Sequence, residues 1–213
     1  IMKSLKDSKE NIQKIAHYGL EVDHNFITTD PSVYLKQSNK INNLHFLFVP
    51  VDKNIECYDV YNLKPRKDLF YAMSHGVNRA TLKKGKNDNR IHFLNSLIKK
   101  INGVNYDFYG FENKEPVWGD DFYKALINSK MGLNLSRGLP TKLYSSNRIA
   151  SIMGNGLLTF IDKKTQFDKI FTNKEVILYN TVLDLSDKIN FYKNNEKSRI
   201  KIAQKGQDKY FKL

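Results

Sequence analysis

Three groups of residues in this 213-residue chain have the types and spacing to hold an anion. The first is Ser145-Ser146-Asn147-Arg148, which opens a short helix that stops at Gly154-Asn155-Gly156. Serine and asparagine are ordinary N-cap residues, and a helix start offers unpaired backbone N–H groups at the positive end of its dipole. Arg148, in that first turn, opposes the dipole by roughly 0.3–1 kcal/mol. A bound diphosphate reverses the sign, because arginine forms charge-assisted forks with phosphate; pairing with Asp162 or another carboxylate is the alternative. The second group, Arg137-Gly138, directly follows a buried strand over residues 131–135. Glycine there permits close backbone approach or positive φ, and the plainer reading is a strand-ending turn. The third is a Gly-rich basic loop over residues 75–88, with His75, Arg79 and Lys84. Its alternatives are an anion contact and a solvated basic loop, with His75 a donor, a base or merely solvent-facing.

These residues need elements to position them, and the chain alternates accordingly. Strand patterns fall at residues 69–74, 106–109, 131–135, 157–161 and 176–179. Between them lie helical patterns at 90–101, at 122–127 with Asp120 or Asp121 as cap, at 145–153 and near 166–170. Helices over 183–191 and 199–210 follow. Strands separated by helical stretches argue for a parallel, doubly wound sheet, and such sheets bind ligands at the carboxyl ends of their strands. Ahead of this lie an amphipathic helix over 2–18, strands at 24–29 and 44–49, and a brief helix after Asp30-Pro31. Two strands and two helices do not close a domain. The expected division is therefore part of an N-terminal α/β domain over 1–50, a linker over 51–67 containing Pro65, and a Rossmann-like domain over 68–213.

Composition narrows the classes. Forty per cent hydrophobic residues suffice for a packed core, so disorder is excluded. The lone Cys57 cannot form an internal disulfide and leans toward a reducing compartment. No apolar run approaches the ~20 residues of a membrane helix, and the start of the chain lacks a signal-peptide core. The expectation is a soluble, cytoplasmic protein. Net charge is +13, and of 35 basic residues only six are arginine: Arg66, Arg79, Arg90, Arg137, Arg148 and Arg199. The scattered lysines read either as a solvated surface or as attraction to a nucleotide, an acidic glycan or an anionic membrane face. Trp118 and the tyrosines suit a core or a sugar-facing surface. No aromatic–basic RNA-binding signature occurs, so nucleic acid is not an expected partner.

From Asp68 to Phe211 the layout resembles the C-terminal, donor-binding domain of GT-B glycosyltransferases, nearest the group-1 and spore-protein-like branch. The resemblance rests on Ser146-Asn147-Arg148 opening a helix, Gly154-Asn155-Gly156 closing it, Leu157-Leu158-Thr159 following as a strand, and a lysine-rich terminal helix from Arg199 to Phe211. Val49-Pro50-Val51-Asp52 is similar to the close of the N-terminal domain and the hinge. The resemblance implies an α/β fold, a Rossmann-like doubly wound parallel sheet preceded by part of a second α/β domain. It implies transfer of a sugar from a nucleotide-sugar donor to a glycan or lipid-linked hydroxyl acceptor, without metal or other cofactor. The diphosphate would meet Arg148, Arg137, Gly138, Ser145, Ser146, Asn147, Arg79 and Lys84, and the ribose or sugar would meet Ser151 and Asp162. No catalytic residue is identified, since a general base normally comes from the facing domain. One departure stands out: the superfamily usually carries a ribose-binding glutamate three residues after that arginine, and here the residue is Ser151. Surface-polysaccharide synthesis, with peripheral contact at the inner membrane face, fits the lysine-rich surface. The rivals are a non-catalytic donor-type domain acting as a binding module and, on charge alone, a nucleic-acid-binding protein.

Overall fold

The computed structural model describes residues 24–35, 43–74, 81–82, 86–87 and 89–213. The helix expected over residues 2–18 lies outside them, as do His75, Arg79 and Lys84. Nine strands occur among the described residues: β1 Asn25–Ile27, β2 Leu44–Phe46, β3 Lys67–Ala72, β4 Thr81–Leu82, β5 Lys86–Asn87, β6 Tyr106–Tyr109, β7 Ser129–Asn134, β8 Leu158–Asp162 and β9 Ile177–Tyr179. The helices are α1 Ser32–Leu35, α2 Asn89–Ile98, α3 Gly119–Ile127, α4 Asn147–Gly154, α5 Val182–Asn194 and α6 Glu196–Tyr210.

Five strands form one parallel sheet in the order β6-β3-β7-β8-β9. Counted within that sheet the order is 2-1-3-4-5, which reverses direction between β3 and β7 and so places a topological switch point there. Both faces of the sheet are covered: Leu69, Phe70 and Tyr71 in β3 are wholly buried. On one face Leu69, Tyr71, Leu133 and Phe160 meet Leu94 and Leu97 of α2 and Leu185 and Ile189 of α5. On the other, Phe70 and Ala72 meet Leu126 of α3 and Ile152 of α4.

α4 buries Ile149, Ile152 and Met153 almost completely, each contributing about 1.5–3 kcal/mol. It lies close on the sheet because β7 offers Gly132 beneath it; a Cβ there would sit 2.5 Å from Ile152 Cγ2. Residues 51–66 run irregularly, with a 3-10 turn at Val60–Asn62, and are fastened to α4 and α6. The Gln207 amide donates to Asp59 Oδ1 (2.7 Å) and Gly154 O (2.8 Å) and accepts from the Tyr61 hydroxyl (2.7 Å). Tyr210 of α6 donates to Val49 O at 2.9 Å. β1 and β2 form a separate parallel pair, with Phe26 and Leu47 exposed.

The structure corrects several sequence expectations. The loop over 75–88 contains the antiparallel pair β4–β5. Asp120 and Asp121 do not cap α3; the cap position is Trp118, and the two acids occupy the first turn, where they favour the helix dipole. The helix expected near 166–170 is two 3-10 turns, Lys163–Thr165 and Phe167–Lys169, separated by Gln166 in a left-handed conformation (φ 57°).

Candidate functional site

The switch point is occupied by Arg148. Its Nε donates to Ala72 O at the end of β3 (3.0 Å), and its Nη1 donates to Leu135 O just beyond β7 (2.9 Å). The guanidinium stands 5.1 Å from the centre of the Tyr71 ring, whose hydroxyl donates to the same Leu135 carbonyl at 3.0 Å. A cation in the first turn of α4 is thus accommodated by two strand-end carbonyls and an aromatic face, and among the described residues no carboxylate pairs with it. These bonds take two of the five guanidinium N–H donors. They hold a positive group at the carboxyl ends of β3 and β7, beside the positive end of α4.

The neighbouring residues divide by what they face. Ser146 takes the N-cap position in extended backbone (φ −128°, ψ 159°), and its carbonyl accepts from Ala150 N at 3.2 Å. Its hydroxyl makes no capping bond and reaches Asn134 Oδ1 at 3.5 Å. Asn147 is exposed at the helix start. Ser145 turns inward: it is buried, its Oγ accepts from Val49 N at 2.9 Å, and its N donates to Thr28 O at 2.7 Å. Its hydroxyl serves to tie α4 to the segments before β3. Asp162 ends β8 and accepts from Lys164 N at 2.9 Å, capping the 3-10 turn that follows.

Gly138 carries φ +78°, so a left-handed residue ends the turn after β7. Asn89, at the start of α2, grips that turn from both sides, donating to Gly138 O (3.0 Å) and accepting from Gly138 N (3.1 Å). Arg137 sits half-buried beside it. The structure therefore brings Arg148, Ser146, Asn147, Arg137 and Gly138 to one rim of the sheet. It also recruits Asn89 and Tyr71, which sequence reasoning missed. The start of a helix after a basic loop is the only sequence signal for Asn89, and a buried strand tyrosine gives none.

Ser151 lies one turn further along α4 and is buried. It faces Tyr123 of α3 and the irregular segment 51–56, where Glu56 is also buried. Residues 49–53, Ile55, Glu56, Tyr123, Asn147, Ala150 and Ser151 bound a cavity of about 670 Å³. Burial, then the nearby Glu56 charge, push the Tyr123 phenol up from its ordinary value.

Among the described residues no helix is long and apolar enough to cross a membrane. Comparison of folds finds TarM of S. aureus, solved with UDP, at 16% identity and a TM-score of 0.64 over 96% of this chain and 43% of that one. HepE of Anabaena, solved with UDP-glucose, matches at 11% identity and a TM-score of 0.69 over 97% of this chain and 64% of that one. A glycosyltransferase of Rickettsia africae matches at 11% identity and 0.63, over 96% and 62% respectively. The chain thus spans less than two thirds of the length of each. No curated protein sequence matches. The shared fold is GT-B, with its Rossmann-like sheet. The family model for glycosyl transferase-like proteins matches residues 86–212, more than half of the sequence and the part that contains α4, and the chain belongs to that family.

Proposed function

We propose that this chain binds a nucleotide-sugar at the β3/β7 switch point and serves its transfer to a hydroxyl group of a glycan or lipid-linked acceptor. The observation that carries the reading is Arg148, bridged between the ends of β3 and β7 next to the uncapped start of α4. Such a group needs no reorganisation when a diphosphate arrives, and charge that develops on the leaving diphosphate meets a prepositioned cation and helix dipole. Arg137, the Gly138 turn, Ser146 and Asn147 complete the cradle, and Arg79 and Lys84, outside the described residues, remain proposed diphosphate contacts. No metal or further cofactor is part of this scheme. The +13 charge fits work beside an anionic inner membrane face in surface-polysaccharide synthesis. TarM and HepE, of the same fold, were solved with UDP and UDP-glucose.

A second reading, a non-catalytic donor-type domain acting as a binding module that docks a partner, is favoured by one observation: Ser151 occupies the place where the resemblance leads one to expect glutamate. Both readings are tested by the melting temperature of the chain against UDP, GDP, ADP, CMP and their sugar conjugates. Ligand at 100 times its Kd stabilises by ~2.7 kcal/mol. A shift with one nucleotide family supports the site, and release of free nucleotide in the presence of hydroxyl acceptors then separates transferase from binding module. No shift with any nucleotide contradicts the transferase reading and favours the binding module.

A further inference from the structure

The cavity beside α4 is walled by a buried carboxylate from outside the family-matched region. Glu56 is 8% exposed. Its Oε2 accepts from Asp52 N at 2.9 Å, while Asp52 O in turn accepts from Ile55 N (2.9 Å) and Glu56 N (2.7 Å). This closed loop fixes the acid against α4. The helix is shaped to receive it, because a Cβ on Gly154 would stand 2.7 Å from Glu56 Cγ and 2.8 Å from its Cβ. The second oxygen, Oε1, lies 3.5 Å from the Tyr123 hydroxyl, at the outer limit of a hydrogen bond. Ser151 lines the same cavity wall as Tyr123.

A carboxylate buried beside a cavity is costly unless its oxygens are hydrogen-bonded. It only accepts, so the group that completes it must donate, and adjacent hydroxyls suit its two oxygens. Asn147 belongs to both the cavity and the first turn of α4, which makes the cavity continuous with the Arg148 rim. Ser151 lies only ~4.5 Å further along the helix axis than Arg148. A diphosphate at the first turn therefore places the ribose of its nucleoside within reach of this wall.

We infer that Glu56, supplied by the segment before β3 and supported by Ser151 and Tyr123, is the carboxylate that receives the ribose hydroxyls of the bound nucleotide. The inference rests on the nucleotide-binding reading above, and its test separates the two. UDP, GDP, ADP and CDP, each with its 2′-deoxy counterpart, are titrated calorimetrically into the wild-type chain and into Glu56→Gln, with circular-dichroism melts to confirm folding. For the base that binds, wild type is expected to prefer the ribonucleotide by about ten-fold, the scale of one charge-assisted hydrogen bond. Glu56→Gln should lose most of that preference while holding the 2′-deoxy form within about two-fold, because Arg148 is untouched. If Glu56→Gln does not fold, Glu56→Asp keeps the charge but withdraws it by one methylene and should lower the preference likewise. A wild type indifferent to the 2′-hydroxyl, or a folded variant with its preference intact, overturns the role of Glu56 alone. Failure of all four ribonucleotides to bind wild type overturns the nucleotide reading and this inference with it.

Discussion

At the strand ends, the guanidinium of Arg148 is fastened to Ala72 O and Leu135 O; beside the same helix, Glu56, Tyr123 and Ser151 face a cavity of about 670 Å³. The first arrangement is made from backbone carbonyls that any sequence would present at the carboxyl ends of β3 and β7. The second is made from side chains on three separate segments. One arrangement therefore follows from the sheet topology, whereas the other depends on individual residue choices. That division separates what the sheet topology fixes, the two strand-end carbonyls, from what individual residues fix, the wall of Glu56, Tyr123 and Ser151.

Removing Arg148 should break the strand-end side most severely. Arg148→Ala leaves two carbonyls without their charged donor. It is expected to lower stability by about 2–4 kcal/mol and to weaken nucleoside-diphosphate binding at least about 100-fold, equivalent to two charged hydrogen bonds. Urea denaturation and calorimetric titration measure the two effects. Arg148→Lys should recover the charge but not the bridge, because a single ammonium lacks the planar fork.

The cavity wall is tested by Gly154→Ala. The added methyl meets Glu56 and Val51 at 2.7–3.0 Å, so a loss of about 1–3 kcal/mol is expected from overpacking. Nucleotide binding should retain its diphosphate component. An unchanged melting temperature would show that the segment carrying Glu56 gives way easily.

Asn89→Ala has a smaller expected effect. It removes the pair of bonds that grip Gly138, costing about 1 kcal/mol, and should weaken nucleotide binding a few-fold by loosening the rim turn.

The smallest effect concerns the contact of Asp30 with Lys142 in the loop that precedes α4. Burial draws the Asp30 carboxyl upward, but hydrogen bonds from Lys142 and Ser32 and the Lys142 charge outweigh it and hold the group down to about 2. The folded state therefore binds its proton less readily than the unfolded state, whose value is near 3.8. The stabilisation is present above that pH and is lost as pH falls from about 4 toward 2. Melting curves over that range should show a shallower acid limb for Asp30→Asn than for wild type.

Much of the sheet was legible in the sequence. Buried strands such as β3 and β8 are mainly apolar with turn residues at their ends, and the period changes cleanly at α4. The Ser145–Arg148 cluster was legible as a helix start for the same reason. What the sequence did not reveal is direction. Ser145 and Ser146 are chemically alike, yet one hydroxyl is committed to Val49 and the other turns toward the rim, a difference set by packing between segments about 96 residues apart. Arg148 reads as a poor first-turn residue until Ala72 and Leu135 are placed beside it. Glu56 was hidden because an acid in an irregular, lysine-bearing segment reads as surface. Only the missing Cβ at Gly154 betrays that something lies against the helix there.

The most direct test of the nucleotide site is the backbone-amide NMR spectrum of the chain titrated with UDP-glucose and, in parallel, with GDP-mannose and ADP-glucose. The account predicts that one of them shifts Gly138, Asn147, Arg148 and Ser151 together, leaving the far end of α3 near Asn128 unmoved. Shifts centred away from the start of α4, or none with any donor, would contradict it.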